Sequence, residues 1–260
     1  MLRKLLKFLV ATFAVCSGTA MAGTVVLEGS DAVSLHHDAT YATQLFSFLK
    51  SDSYNAALPV FVLGSISGIP GLPGDTVAAT TLPGALFGVY SAVYVQSPGG
   101  CCSERPVSAA DQAAIAAFVA AGGSVAVQDY TGGLAAMLGF DAPQSELAGF
   151  DIGAGGLGGP SCFDTEVFLP SALSKGFTQP GALGCWGHQA YDMDYFGALG
   201  FVSLVDSGRQ FDALGSGVWS SFLAKGGVLG GGGGTVPEPS TVLLASIALL
   251  GLAAARRRRS

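Results

Sequence analysis

The sequence predicts an α/β fold in which a parallel sheet is flanked by helices. Three observations carry that expectation. Short β-branched runs alternate with segments of helical spacing from residue 25 to residue 130. The clearest helical pattern ends in a Gly-Gly pair directly before another apolar run. Glycine-rich connections separate these segments without disturbing their alternation, the order that builds helices onto the faces of a parallel sheet. The body is expected over residues 23–229, with a loop-rich second half from residue 151.

The elements follow in order. "GTVVLEG", residues 23–29, reads as a first buried strand. In "ATYATQLFSFLKS", Tyr41, Leu45, Phe46, Phe48 and Leu49 recur at helical spacing, and Asp38 stands where an N-cap is needed. His36 and His37 precede that cap; neighbouring side chains diverge, so capping by Asp38 is a better account of this stretch than a metal pair. "LPVFVLG" and "LFGVYSAVYVQS" supply two further strands. "VSAADQAAIAAFVAAGG" is a helix capped by Ser108, favoured by Asp111 in its first turn and stopped by Gly122 and Gly123. "SVAVQDY" is the next buried strand, and "TEVFL" and "GFVSLVD" are the strands expected in the second half. "GSISGIPGLPGD" and "FDIGAGGLGGPS" read as long loops, and residues 230–235 as a glycine-rich linker.

The order in "VYSAVYVQS" and "SAADQAAIAAFVAAGGSVAVQDYTGG" resembles the flavodoxin-like domains related to class I glutamine amidotransferases and their non-catalytic relatives. The resemblance implies a flavodoxin-like parallel sheet. It also implies a nucleophilic cysteine on a tight turn between strand and helix, where helix N–H groups face the developing oxyanion. Here that turn is Gln128 to Gly133, with Tyr130 or Thr131 at its tip and no cysteine, so no nucleophile elbow is present and no catalytic residue is assigned. A second arrangement joins Cys101 or Cys102 to His188 and either Asp192 or Asp194. Nothing in the spacing brings these together.

Both ends speak of export. Residues 1–22 carry Arg3, Lys4 and Lys7, an apolar run, and Ala20-Met21-Ala22, the pattern of a signal peptide cleaved after Ala22. Cys16 follows the bulky Val15, which disfavours a lipoprotein site. At the other end, fifteen uncharged residues from Thr241 to Ala255 precede Arg256, Arg257, Arg258 and Arg259. A helix of that length covers roughly 22 Å, a short span of a hydrocarbon core of about 30 Å. The arginines hold its end on the cytoplasmic side. Val236, Pro237, Glu238, Pro239, Ser240 and Thr241, then the apolar run, then the arginine cluster resemble the tail of bacterial PEP-CTERM proteins. The resemblance implies a Gram-negative cell, exosortase as processing partner, and association with exopolysaccharide, biofilm or cell-surface material. The inner membrane is then a transient partner of residues 236–260.

Charge narrows the function classes. Seventeen acids and five bases lie in residues 23–235, a net charge of 5 − 17 = −12 for the body. Such a surface repels nucleic acid and anionic membranes. Four cysteines remain after the signal: Cys101, Cys102, Cys162 and Cys185. An oxidising compartment favours disulfides over a zinc site. Bridges from the Cys101–Cys102 pair to Cys162 and Cys185 are preferred, because adjacent cysteines strain a bond between themselves.

"GCWGHQAYDMDYFGALGF" is the most unusual stretch. Trp186, His188, Tyr191, Asp192 and Asp194 form a candidate carbohydrate contact, with Tyr195 beside them; aromatic faces stack on sugar rings and carboxylates bind their hydroxyls. The bland alternative is that the rings pack a core edge and the aspartates are solvated. Asp192 and Asp194 could also meet a calcium ion, but no twelve-residue loop with a closing glutamate follows. No phosphate-cradling loop, dinucleotide fingerprint or zinc-protease helix occurs, so no cofactor or metal is expected. The sequence thus predicts an exported, non-catalytic surface or matrix protein; the competing expectation is a divergent amidotransferase-like hydrolase acting outside the cytoplasm.

Overall fold

The computed structural model describes residues 23–67, 69, 71–98, 103, 105–149, 157–158, 162–181, 184–211 and 217–226. The expected signal peptide, Cys101 and Cys102, the linker at 230–235 and the tail at 236–260 lie outside these residues. Among the described residues no helix is long and apolar enough to cross a membrane.

Five strands run parallel: β1 (Val25–Glu28), β2 (Val60–Leu63), β3 (Val77–Ala79), β4 (Ala92–Val95) and β5 (Ser124–Gln128), in the spatial order β3-β2-β4-β5-β1. Helices α1 (Ala39–Ser51), α2 (Ala109–Ala120) and α3 (Gly133–Met137) belong to this half. The expected caps form. Asp38 accepts a hydrogen bond from the Tyr41 amide at 2.7 Å, and Ser108 accepts one from the Asp111 amide. Behind α2, Gly123 lets the chain turn under the helix: a Cβ there would fall 2.2 Å from the Phe118 ring.

Alternation along the strands builds two cores, one on each face of the sheet. Val26, Val62, Tyr94 and Ala126 face α1, meeting Tyr41, Leu45, Phe46 and Leu49. Val25, Leu27, Phe61, Val93 and Val125 face the other way, onto Ile115 and Phe118 of α2 and Leu134 of α3. Strands buried on both faces need apolar residues at every position, which explains the continuous runs in β2 and β4.

The sheet is mixed rather than parallel throughout, which corrects the expected architecture. The second half contributes β6 (Leu147–Gly149), β7 (Leu157–Gly158), β8 (Val167–Phe168), β9 (Gln189–Asp192), β10 (Val202–Asp206) and β11 (Trp219–Lys225), with short helices α4 (Pro170–Leu173) and α5 (Met193–Ala198). β11 runs antiparallel to β1, β9 and β10. Phe222 pairs with Glu28 on one edge and Val205 on the other, so β11 has partners on both sides. The sheet continues from β9 through β6 to β7, and β8 pairs with β10. The region that reads as loop-rich also carries the short strands that complete the sheet. The expected segments at 165–169 and 200–206 contain β8 and β10; the others are too short, or too rich in serine and glycine, to show periodicity.

The strand order also departs from the flavodoxin-like sequence 2-1-3-4-5. β2 to β5 take the first four places of that pattern, but the fifth belongs to β1, the first strand of the body.

Candidate functional site

In open α/β sheets the loops beyond the carboxyl ends of parallel strands meet in a crevice where the strand order reverses. Here the order reverses between β2 and β4, because β2 continues to β3 on one side and the chain then returns to β4 on the other. A cleft of about 240 Å³ lies at that place. Ser34 and Leu35 come to it from the loop after β1, Ser65 and Ser67 from the loop after β2, and Gln96, Ser97, Pro98 and Arg105 from the loop after β4. Gln96 joins two of these loops: its Oε1 accepts the Ser65 amide at 2.7 Å, and its backbone carbonyl accepts Arg105 Nε at 2.8 Å. Gln128, at the end of β5, ties in the third. Its Nε2 donates to the Ser30 carbonyl and to Ser34 Oγ, while its Oε1 accepts the Ser97 amide.

Beneath the loop after β1 lies a buried cluster of acids and imidazoles. Asp31 is fully buried; its Oδ2 is 2.9 Å from His188 Nε2, and its Oδ1 is 3.2 Å from His36 Nε2 at ion-pair distance. The Tyr130 ring meets His188 edge to face. Glu28 at the end of β1 is fully buried too, and burial pushes its carboxyl up to about 8, against hydrogen bonds from Tyr41 and Tyr94 and with help from the charges of Asp31 and Glu166. Burial likewise raises Glu166 to about 7, while a 2.5 Å bond from Ser221 Oγ and the nearby His188 pull the other way. Burial is also the first cause that drives the hydroxyls of Tyr41, Tyr94 and Tyr130 above their ordinary range. Shifted carboxyls of this kind mark functional sites and structural networks alike. Glu166 and His188 are only 5% and 7% exposed, while His36 reaches the surface on the outer side of Asp31.

The corner after β5 has the strand-turn-helix form of a nucleophile elbow but carries an aspartate at its start. Asp129 accepts hydrogen bonds from the amides of Gly132, Leu134 and Ala135 and from the Tyr191 hydroxyl. Its carboxylate therefore occupies the N-terminal amides of α3, the donors an oxyanion would use.

The residues expected to contact carbohydrate do not form an exposed platform. Trp186 and Tyr191 are buried, Trp186 against Tyr41 in the α1 core on the approach to β9 and Tyr191, within β9, against Phe196 in the opposite one. His188 is turned inward onto Asp31. Asp192 caps α5 by accepting the Asp194 amide at 2.8 Å, and Asp194 is exposed. The Tyr195 hydroxyl donates to the Asp141 carbonyl. Trp186 and Tyr191 thus pack the core, and their rings are covered. The carboxylate seen at His188 is that of Asp31, from the loop after β1.

Cys162 and Cys185 form a disulfide with each other, Cα atoms 5.3 Å apart, which overturns the pairing of each with Cys101 or Cys102. The pair joins the strand region before β8 to the turn before β9, which the bridge from Phe163 to Gly187 already holds together. His36 meets Asp31, but among the described residues no group of three His, Cys, Asp or Glu side chains could hold a metal ion. Glu28, Asp31, Glu166 and Arg105 were not singled out by sequence reasoning. Glu28 and the Gln128-Asp129 pair did carry a signal: polar residues at the carboxyl ends of otherwise apolar strands.

The tail is the part that known proteins explain. Residues 235–259 match the PEP-CTERM protein-sorting motif. The motif implies processing by exosortase and export to the surface or exterior of a Gram-negative cell. Comparison of the chain with curated proteins and with solved structures gave no match. The PEP-CTERM motif covers sorting alone, and the α/β body has to be read from its own residues.

Proposed function

We propose that the chain is an exported, exosortase-processed protein whose α/β body serves outside the cell as a non-catalytic domain associated with exopolysaccharide or other surface polymer. The observation that carries this reading is the sorting motif at 235–259. The body supports it in two ways. The turn after β5 holds no cysteine and uses Asp129 to cap α3, and His188 and Glu166 of the acid–imidazole cluster are buried. A net charge of −12 also suits a protein that must stay soluble outside the cell.

A divergent hydrolase is the second reading, and it draws on one specific contact, the Asp31–His188 pair. For catalysis that imidazole would have to be uncovered by movement of the 31–38 loop.

The test is made in producing cells. With exosortase intact, the released protein should begin at Gly23, lack the arginine cluster, and co-fractionate with extracellular polymer. Without exosortase it should keep its full tail and remain with the membrane. A tail retained in both strains would overturn the sorting assignment, and a released protein that leaves the polymer fraction empty would overturn the polymer association.

A further inference from the structure

We propose that the cleft between the loops after β1, β2 and β4 binds a polyhydroxylated ligand bearing a carboxylate, the chemistry of a uronic acid residue, with Arg105 as the carboxylate's partner. The proposal rests on the reading of the body as a polymer-associated domain and names the chemistry that domain would recognise.

The argument starts from the scarcity of positive charge. The body has five cations among residues 23–235. Lys50 is paired with Asp75 at 2.7 Å, Lys225 donates to the Leu199 carbonyl and lies over Phe140, and Lys175 lies over Phe48. Arg209 has its Nε buried away from the cleft's lining residues. Arg105 alone of the five lines the cleft.

Its guanidinium is held in place. Nε donates to the Gln96 carbonyl, which fixes the plane of the fork, and no carboxylate among the described residues forms an ion pair with it. The group is half-buried, and burial alone lowers its pKa. A partly desolvated cation without a counter-charge is costly, and a carboxylate matches the guanidinium fork with two parallel hydrogen bonds.

The rest of the lining supplies the hydroxyl chemistry. Ser65, Ser67 and Gln96 stand with Arg105 at the cleft, and the Gln96 Nε2 has no hydrogen-bond partner among the described residues. A small sugar ring offers hydroxyls to such groups, whereas an extended apolar ligand would leave them unpaired. The location fits as well, at the reversal of strand order where α/β sheets place their ligands.

The mature protein released by producing cells is titrated calorimetrically with a glucuronic acid oligomer, a neutral glucose oligomer and inorganic phosphate. The acidic oligomer should bind saturably and more weakly as salt rises, the neutral oligomer at least several-fold more weakly. Arg105→Gln should weaken the acidic oligomer by about 10- to 100-fold, the range for losing a hydrogen bond to a charged group. Arg105→Lys should recover part of that loss. Unchanged thermal unfolding of Arg105→Gln shows that the fold is intact. Equal binding by Arg105→Gln and wild type, or equal binding of both oligomers, would overturn the proposal. Saturation by phosphate as tight as by the acidic oligomer would overturn it in favour of an inorganic anion site. Polymer co-fractionation that survives Arg105→Gln would remove this cleft and leave the wider reading of the body standing.

Discussion

Asp31 and His188 stand 157 positions apart in the chain, yet the carboxylate Oδ2 and imidazole Nε2 are 2.9 Å from each other in a buried setting. The contact joins the loop after β1 to the approach to β9, alongside backbone bonds from the Asp31 amide to the Trp186 carbonyl and from the His188 amide to the Gly29 carbonyl. Removing one partner leaves the other buried without this hydrogen bond. Asp31→Ala should therefore cost about 1–3 kcal/mol of stability in urea unfolding. The loss in the double variant Asp31→Ala, His188→Ala should be well short of the sum of the two single losses. Additive losses would show that the pair is not coupled.

The pH dependence of stability should reveal Glu28. Its carboxyl ionises near the ordinary value in the unfolded chain and at about 8 in the fold. Between those values the folded state holds a proton the unfolded state has lost, so stability falls as pH rises through that window. Glu166, raised to about 7, acts with the same sign. Glu28→Gln keeps the shape without the proton and should flatten the profile, unfolding at a higher temperature than wild type at pH 8. An unchanged slope between pH 5 and pH 8 would refute the assignment.

Trp186 is a core residue, and its truncation should act on stability before it acts on any ligand. Its ring lies 5.6 Å from that of Tyr41, within the cluster that holds Phe168, Phe177 and Phe222. Trp186→Ala should cost about 3–5 kcal/mol by denaturant titration. A variant as stable as wild type would return the ring to the surface and revive stacking as its role.

The Cys162–Cys185 bridge closes a loop with a sequence separation of 23. Replacing both cysteines by serine should remove about 3 kcal/mol, chiefly by freeing the unfolded chain. Peptide mapping without reductant should recover the fragment containing Cys162 linked to the one containing Cys185.

The first half of the fold was legible because its strands and helices are long enough to repeat their spacing. β2 and β4 are uninterrupted apolar runs, and α1 and α2 announce their own caps at Asp38 and Ser108. β11 was missed for a physical reason: Ser220 and Ser221 sit fully buried in it, their hydroxyls satisfied by the Val205 carbonyl and by Glu166, so the strand looks polar while lying at the centre of the sheet. Trp186 and Tyr191 drew notice as aromatics among aspartates; Tyr191 lies in the four-residue β9 and Trp186 just before it, too short a stretch for periodicity to decide between a core edge and an exposed contact, and both rings are buried. Arg105 had no motif around it. Its significance comes from loops more than 30 positions apart in sequence meeting at Gln96, which local pattern does not record.

The place of β1 ties folding to passage through the membrane. It is the first strand of the body, and both its neighbours are distant in sequence: β5 at Ser124–Gln128 and β11 at Trp219–Lys225. A chain exported from its N-terminus delivers β1 long before either partner. The junction between parallel and antiparallel halves stays open until β11 emerges, leaving the early strands as clients for whatever keeps unpaired edges apart on the far side. β11 ends at Lys225 and the sorting motif begins at residue 235. The nine residues between them reach at most about 32 Å when fully extended. The last strand that the sheet needs and the motif that exosortase would recognise are thus neighbours in the chain, so the body is complete in sequence just before its sorting signal begins.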